Sequence, residues 1–271
     1  MGSIKFTLRQ LSSDDASSPR HSYFKVLSEY LQPESPVKAR EVAQSIDALC
    51  PLRQEGGDAS SAEDFIWGFW TDVDQIACQI PHNHESQDKL ISVIRELQTL
   101  PPVTVTFWGN EERLWKDLPL AGSAFRDTWT GPKEGDESSQ EQWINKNAFY
   151  ARLFGARIVP WKPNFAIWTL RDALETTQGE FGDCYVAAAA SWIEHAGKYL
   201  YDCTRNGESD AQFNEITAPG ELFRGSGGLS TERWTFWKSR FVQVSSQSGS
   251  DASGSCAEAA ARRMAEIEGG E

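Results

Sequence analysis

The chain predicts an all-α fold, a single-domain bundle of about eight to ten helices. Three observations carry that expectation. Apolar residues recur at helical spacing through most of the 271 residues. The segments that hold them are bounded by proline, glycine and capping residues. No strand–helix–strand rhythm runs through the sequence, and a composition 39% hydrophobic and 24% charged suits a globular chain with a sizeable core.

Taken in order, the first helix signal is Ser35 followed by Pro36, a cap-then-proline pair ahead of Val37, Ile46 and Leu49. Ser61 and Asp64 resemble a capping box, with aspartate where glutamate is usual. They open a helix over 62–80 whose stripe is Ile66, Phe69, Val73, Ile76, Ala77 and Ile80, ended by Pro81. Ser86 starts a partner helix with Leu90, Ile91, Ile94 and Leu97, stopped by Pro101 and Pro102. Residues 103–108 alternate like a strand, but no second alternating segment lies near, so they read as an extended connector. Further helices are expected at 118–128, 139–154, 164–177, 184–203 and 231–243.

Three segments break the pattern. Residues 131–142 form an acidic Gly/Ser-rich loop, and 206–231 form a long one containing Gly225, Gly227 and Gly228, of a length that is commonly functional or mobile. Residues 245–255 are a Ser/Gly linker. The all-α domain therefore spans 1–244, and 245–271 reads as a flexible tail whose alanine-rich 256–268 has room for a short detached helix.

Composition narrows the chemistry. A formal net charge of −13, spread along the chain, disfavours nucleic acid and anionic membrane. Five cysteines without CxxC spacing read as free thiols of a reducing compartment. The N-terminus lacks a basic segment with a long apolar core, and no stretch reaches the roughly eighteen apolar residues of a membrane span. A cytoplasmic protein without membrane insertion is expected.

Dinucleotide, P-loop, zincin and nucleophile-elbow motifs are absent from the sequence. The pairs Asp14–Asp15 and Asp72/Asp74 lack the companions that metal-dependent prenyl-diphosphate chemistry requires. Cys78, His82, His84 and Asp88 are metal-ligand types in one stretch, but no second Cys/His pair completes a site, and the histidines read as helix caps. No metal and no cofactor are expected.

Eleven tryptophans stand out. Trp67 and Trp70 lie off the Ile66–Phe69–Val73 stripe, so their helix has two apolar faces and is either central to the bundle or beside a cavity. Polar groups embedded in apolar stripes are sharper signals, because burying them costs free energy unless they are paired. Trp143, Asn147, Tyr150 and Phe154 fall at i, i+4, i+7 and i+11; Arg171 sits between Ile167 and Leu174; His195 sits between Trp192 and Tyr199. Structural explanations stand beside the functional ones. Asn147 could tie down a loop, Arg171 could pair with Glu175 one turn on, and His195 could lie at a surface edge.

Five strings also resemble one family. Ile80-Pro81-His82-x-His84-x-x-Gln87-Asp88-Lys89-Leu90 comes first, then Leu114-Trp115-x-x-Leu118-Pro119 and Asn147-Ala148-Phe149-x-Ala151-Arg152-Leu153. Ala166-Ile167-Trp168-x-Leu170-Arg171-x-Ala173-Leu174-Glu175 and Ala188-Ala189-x-x-Trp192-Ile193-x-x-Ala196-Gly197 follow. In that order they are similar to the fungal helical family known as domain of unknown function 3632, over about residues 60–205. The resemblance implies a fungal, intracellular, all-α protein and brings no catalytic residues with it.

The functional expectation is a cofactor-independent cyclase or pericyclase, of Diels–Alderase type, acting on a hydrophobic terpenoid-like metabolite. Such a reaction needs no nucleophile or metal; it needs a dry pocket that folds the substrate and a donor aimed at an activating carbonyl. Arg171, Asn147, His82, His195 and Arg152 are the candidate donors, and Trp67, Trp70, Tyr150, Trp168 and Trp192 the candidate walls. A homo-oligomer is left open. Two other readings stand beside this one: a non-enzymatic scaffold that recruits a partner through its acidic surface and C-terminal tail, and an isomerase or dehydratase using His82 with Asp88.

Overall fold

The computed structural model describes residues 2–9, 11, 18–177, 179, 181–206, 210–247 and 251–270. Among them, eleven α-helices and one short hairpin make the chain all-α, as its periodicity predicts. Asp14 and Asp15 lie outside the described residues. No described helix is long and apolar enough to cross a membrane. The contacts divide the chain into two compact units, Met1–Thr130 with Ile158–Pro160, and Gly131–Arg157 with Trp161–Glu271.

The first unit opens with a helix the sequence reading does not anticipate, α1 (Pro19–Tyr30), capped by Ser18, whose hydroxyl accepts from His21 N at 3.1 Å. Its apolar stripe is narrow, only Tyr23, Leu27 and Tyr30. Helix α2 (Ala39–Leu49) packs on α1 and on α4 (Ser86–Leu97). Helix α3 (Ala59–Gln79) also touches α1, and it starts earlier than expected because Asp58, not Ser61, is its cap and accepts from Ser61 N at 3.0 Å. The expected α3 stripe is buried, and Trp70 with it. His84 bonds a backbone group at the start of α4, where Glu85 is the cap residue: Ser86 N donates to its Nδ1 at 3.1 Å.

Residues 103–108 are not a connector. Strand β1 (Thr104–Phe107) pairs antiparallel with β2 (Asn110–Arg113), Phe107 opposite Asn110 across a Trp108–Gly109 turn. Both turn residues have positive φ, 51° and 82°, which gives the backbone twist that tight hairpins need. The second strand is Asn-Glu-Glu-Arg, with no apolar alternation to betray it. Helix α5 (Ala121–Asp127) begins later than expected, since Leu118 and Leu120, at φ 52° and 63°, cannot continue a right-handed helix.

In the second unit, α8 (Gly182–Asn206) is the central helix, packed by α6 (Glu137–Gly155), α7 (Asn164–Leu174), α10 (Thr231–Gln247) and α11 (Asp251–Gly269). Close approach is set by Gly155, where a Cβ would lie 2.0 Å from the His195 carbonyl oxygen. The long loop holds a short helix, α9 (Ala211–Ile216); its residues 207–209 lie outside the described residues.

The expected detached tail is instead an element of this unit's core. Helix α11 begins at Asp251, within the stretch read as linker, and α10 runs on to Gln247; residues 248–250 lie outside the described residues. Ala257, Ala260, Met264 and Ile267 are buried, and Glu268 accepts from Trp234 Nε1 at 2.9 Å and pairs with Lys238. An alanine-rich helix packs closely because its side chains are short, which composition alone does not reveal.

Candidate functional site

The residues read as donors and walls fall into both units, and most are engaged in packing. In the first unit, Trp70 is 1% exposed and donates to Pro119 O at 2.9 Å. It stands edge-on to Trp115 and Phe125, with centroids 6.2 and 5.9 Å apart. On α3, Trp70 is packed among aromatic rings of its own unit. Trp67 is partly exposed, with its ring 5.8 Å from Trp108. His82 and Asp88 are exposed residues of the α3–α4 turn and of α4. Among the described residues no three Cys, His, Asp or Glu side chains come together as metal ligands, so Cys78, His82, His84 and Asp88 do not converge.

In the second unit, α6 brings Trp143, Asn147 and Tyr150 onto one buried face. Asn147 is fully buried: its Oδ1 accepts from Thr169 Oγ1 at 2.6 Å and Trp192 Nε1 at 2.8 Å, and its Nδ2 donates to Trp143 O at 2.8 Å. Both lone pairs of that oxygen are used, so Asn147 and Trp192 form a knot between α6, α7 and α8. Tyr150 is 2% exposed and packs edge-on against Phe165 at 5.2 Å. Trp168 donates to Ile216 O at 2.7 Å. Arg152 is half-buried and reaches back to Ala148 O at 3.2 Å, and His195 is half-buried on α8. Of the ten candidates, Asn147 and Trp192 are brought into direct contact.

Arg171 does not pair with Glu175. Its Nε donates to Asp172 at 3.0 Å, while Glu175, the residue that caps α7, turns to Arg233 on α10. Both side chains of that pair are 0% exposed. Glu175 Oε1 accepts from Arg233 Nε at 2.6 Å and Trp237 Nε1 at 2.7 Å; Oε2 accepts from Arg233 Nη2 at 3.0 Å and Gly220 N at 2.8 Å. Those four bonds fill a carboxylate's acceptor capacity. Arg233 Nη1 adds bonds to Thr217 O and Gly228 O, at 2.9 and 2.8 Å. The glycine-rich end of the long loop is thereby clamped. A Cβ at Gly220 would meet Glu175 O at 2.6 Å, and one at Gly227 would meet Asn214 O at 2.0 Å. This network is saturated architecture, with no vacant acceptor for a substrate.

One pocket of this unit lies apart from that network. An open pocket of about 450 Å³ lies between the turn after α7, the first turn of α8, the end of α10 and the start of α11. Val186, Leu222 and Val244 supply its apolar surface, and Thr177, Asp183, Arg240 and Ser253 its polar one. The Arg240 guanidinium is anchored by donation from Nε to Leu174 O at 3.0 Å, at the carbonyl end of α7, and by a bond to Gln243. Glu221 accepts from Thr177 N at 2.9 Å and from its hydroxyl, and these bonds hold the Glu221 carboxyl below its usual range. No cysteine or histidine lines the pocket. Burial pushes the Cys184 thiol up to about 12 and that of Cys50 up to about 11, so neither is a thiolate nucleophile at neutral pH. The arrangement offers an apolar surface, a fixed cation and hydroxyls, the means to bind and orient a small molecule.

A family model described as Protein of unknown function (DUF3632) matches residues 70–241. The chain belongs to this family. The comparisons with curated proteins and with solved structures returned no match. The DUF3632 segment contains the Asn147 knot, the Glu175–Arg233 clamp and the pocket residues Thr177, Val186, Leu222 and Arg240; Val244, Gln247 and Ser253 lie beyond its end.

Sequence reading singled out none of the pocket residues of this DUF3632 chain. They come from segments up to 76 residues apart, Thr177 to Ser253, and only tertiary packing unites them. Arg233 was within reach. Arg233, Trp237 and Phe241 lie at i, i+4 and i+8 and are all buried, the same guanidinium-on-an-apolar-face signal that drew attention to Arg171.

Proposed function

We propose that the chain binds a small, largely apolar metabolite with one polar end in the pocket beside Arg240, and acts on it as a cofactor-independent cyclase or pericyclase. The observation that carries this reading is the pocket itself. Its volume falls in the range of small-molecule sites, and an apolar surface with a few convergent polar groups is their usual composition. Holding a flexible molecule in a reactive fold lowers a cyclisation barrier by several kcal/mol without a nucleophile. A guanidinium facing the substrate's carbonyl stabilises the charge that develops in the transition state. In this reading the donor moves from Arg171 and Asn147, which bond Asp172 and Thr169, to Arg240. The walls move from the indoles to Val186, Leu222 and Val244.

The test is direct. The apolar anionic dye 8-anilinonaphthalene-1-sulfonate should bind the native chain with enhanced fluorescence. Leu222→Trp, which fills the mouth of the pocket from a 38% exposed position, should weaken that binding about tenfold or more while the helical circular dichroism persists. Equal dye affinity in wild type and Leu222→Trp would remove the pocket from the account.

A further inference from the structure

Among the described residues, five other than glycine have positive φ: Trp108, Trp115, Leu118, Leu120 and Arg157. For a bulky side chain that conformation is an outlier that the surroundings must compensate. Trp115, Leu118 and Leu120 are compensated by burial, at 0%, 3% and 7% exposed. Arg157 sits just past the end of α6, where helices commonly finish in this conformation, and its guanidinium stacks 4.5 Å above Tyr199. Trp108 has no such compensation. It is 59% exposed at the hairpin tip, in a turn position that asparagine, aspartate or glycine fills at less cost.

The indole is nonetheless held in a fixed pose. Its Nε1 donates to Glu63 Oε1 at 2.8 Å, and its ring meets Trp67, itself partly exposed, at 52°. Donation to a carboxylate pushes electron density into the ring and deepens the negative potential over its face. Acidic side chains predominate in the surrounding sequence. Glu63 and Asp64 lie on α3, Glu111 and Glu112 on β2, and the flanking cations Arg53 and Arg113 are each paired, with Asp47 and Asp117. An oriented, electron-rich, exposed indole in acidic surroundings matches one ligand chemistry, a cation that is partly desolvated.

We propose that the Trp108–Trp67 tip is a docking site for a lysine or arginine side chain presented by a partner polypeptide. The cation lies over the open face of Trp108, with Glu63 fixing the indole and adding attraction. The site is independent of the pocket beside Arg240, and either can fail without the other.

The experiment titrates the full chain with a hexapeptide of alternating glycine and arginine, and with its glycine–glutamate counterpart, by calorimetry at low and high salt. The arginine peptide should bind, more weakly as salt rises. Trp108→Asn, which leaves an Asn-Gly turn that favours the hairpin, should weaken binding about tenfold, and Glu63→Gln about threefold, with the helical circular dichroism retained in both as the check on folding. Absence of binding, equal affinity in Trp108→Asn, or equal binding of the glutamate peptide each overturns the proposal. Concentration-dependent self-association abolished by Trp108→Asn would overturn it too, by assigning the tip to a second copy of the chain.

Discussion

Glu175 is a fully buried carboxyl group whose two oxygens accept four hydrogen bonds. Removing one partner of a fully buried ion pair typically costs about 3–5 kcal/mol, because the other charge is left without compensation. Arg233→Met should therefore destabilise the chain by about that much in urea denaturation. Adding Glu175→Gln, which removes the stranded charge and keeps one acceptor oxygen for either Trp237 or Gly220, should recover part of the loss. A small effect of Arg233→Met would mean the loop does not depend on the clamp. What sequence shows at this scale is uneven. Helical period exposes which residues stand on a buried face, Asn147 and Arg233 alike. It cannot show their partners: Glu175 lies 58 residues from Arg233, and it leaves the Arg171 face because α7 ends at Leu174.

Helices with a broad apolar stripe and clear stops were legible as elements, and α3, α4, α6 and α8 are where periodicity puts them. β2 and α11 carry too little large apolar surface to announce themselves, and α1 buries only Tyr23, Leu27 and Tyr30; each is stabilised by what it packs against or pairs with. For α11 this is testable. Met264 and Ile267 are 0% and 4% exposed, so Met264→Ala and Ile267→Ala should each cost about 2–4 kcal/mol by chemical denaturation. A solvated, detached tail would register neither change.

For the molecule as a whole, the tryptophans that suggested a ligand cavity largely divide between two packed cores. Trp70 and Trp115 belong to the first unit, and Trp192, Trp234 and Trp237 to the second. Their indole N–H groups donate to protein acceptors, among them Pro119 O, Asp47, Asn147, Glu268 and Glu175. Indole abundance accompanies core packing at these five positions, and a pocket opens where helix ends meet around Arg240. The measurement that bears most directly on this account is native mass spectrometry of the full chain purified from its own host, beside Leu222→Trp prepared in the same way. A bound small molecule, released by organic solvent and carried by the wild type but not by the variant, is the predicted result. A wild-type chain of bare polypeptide mass, or a ligand retained equally by Leu222→Trp, would contradict it.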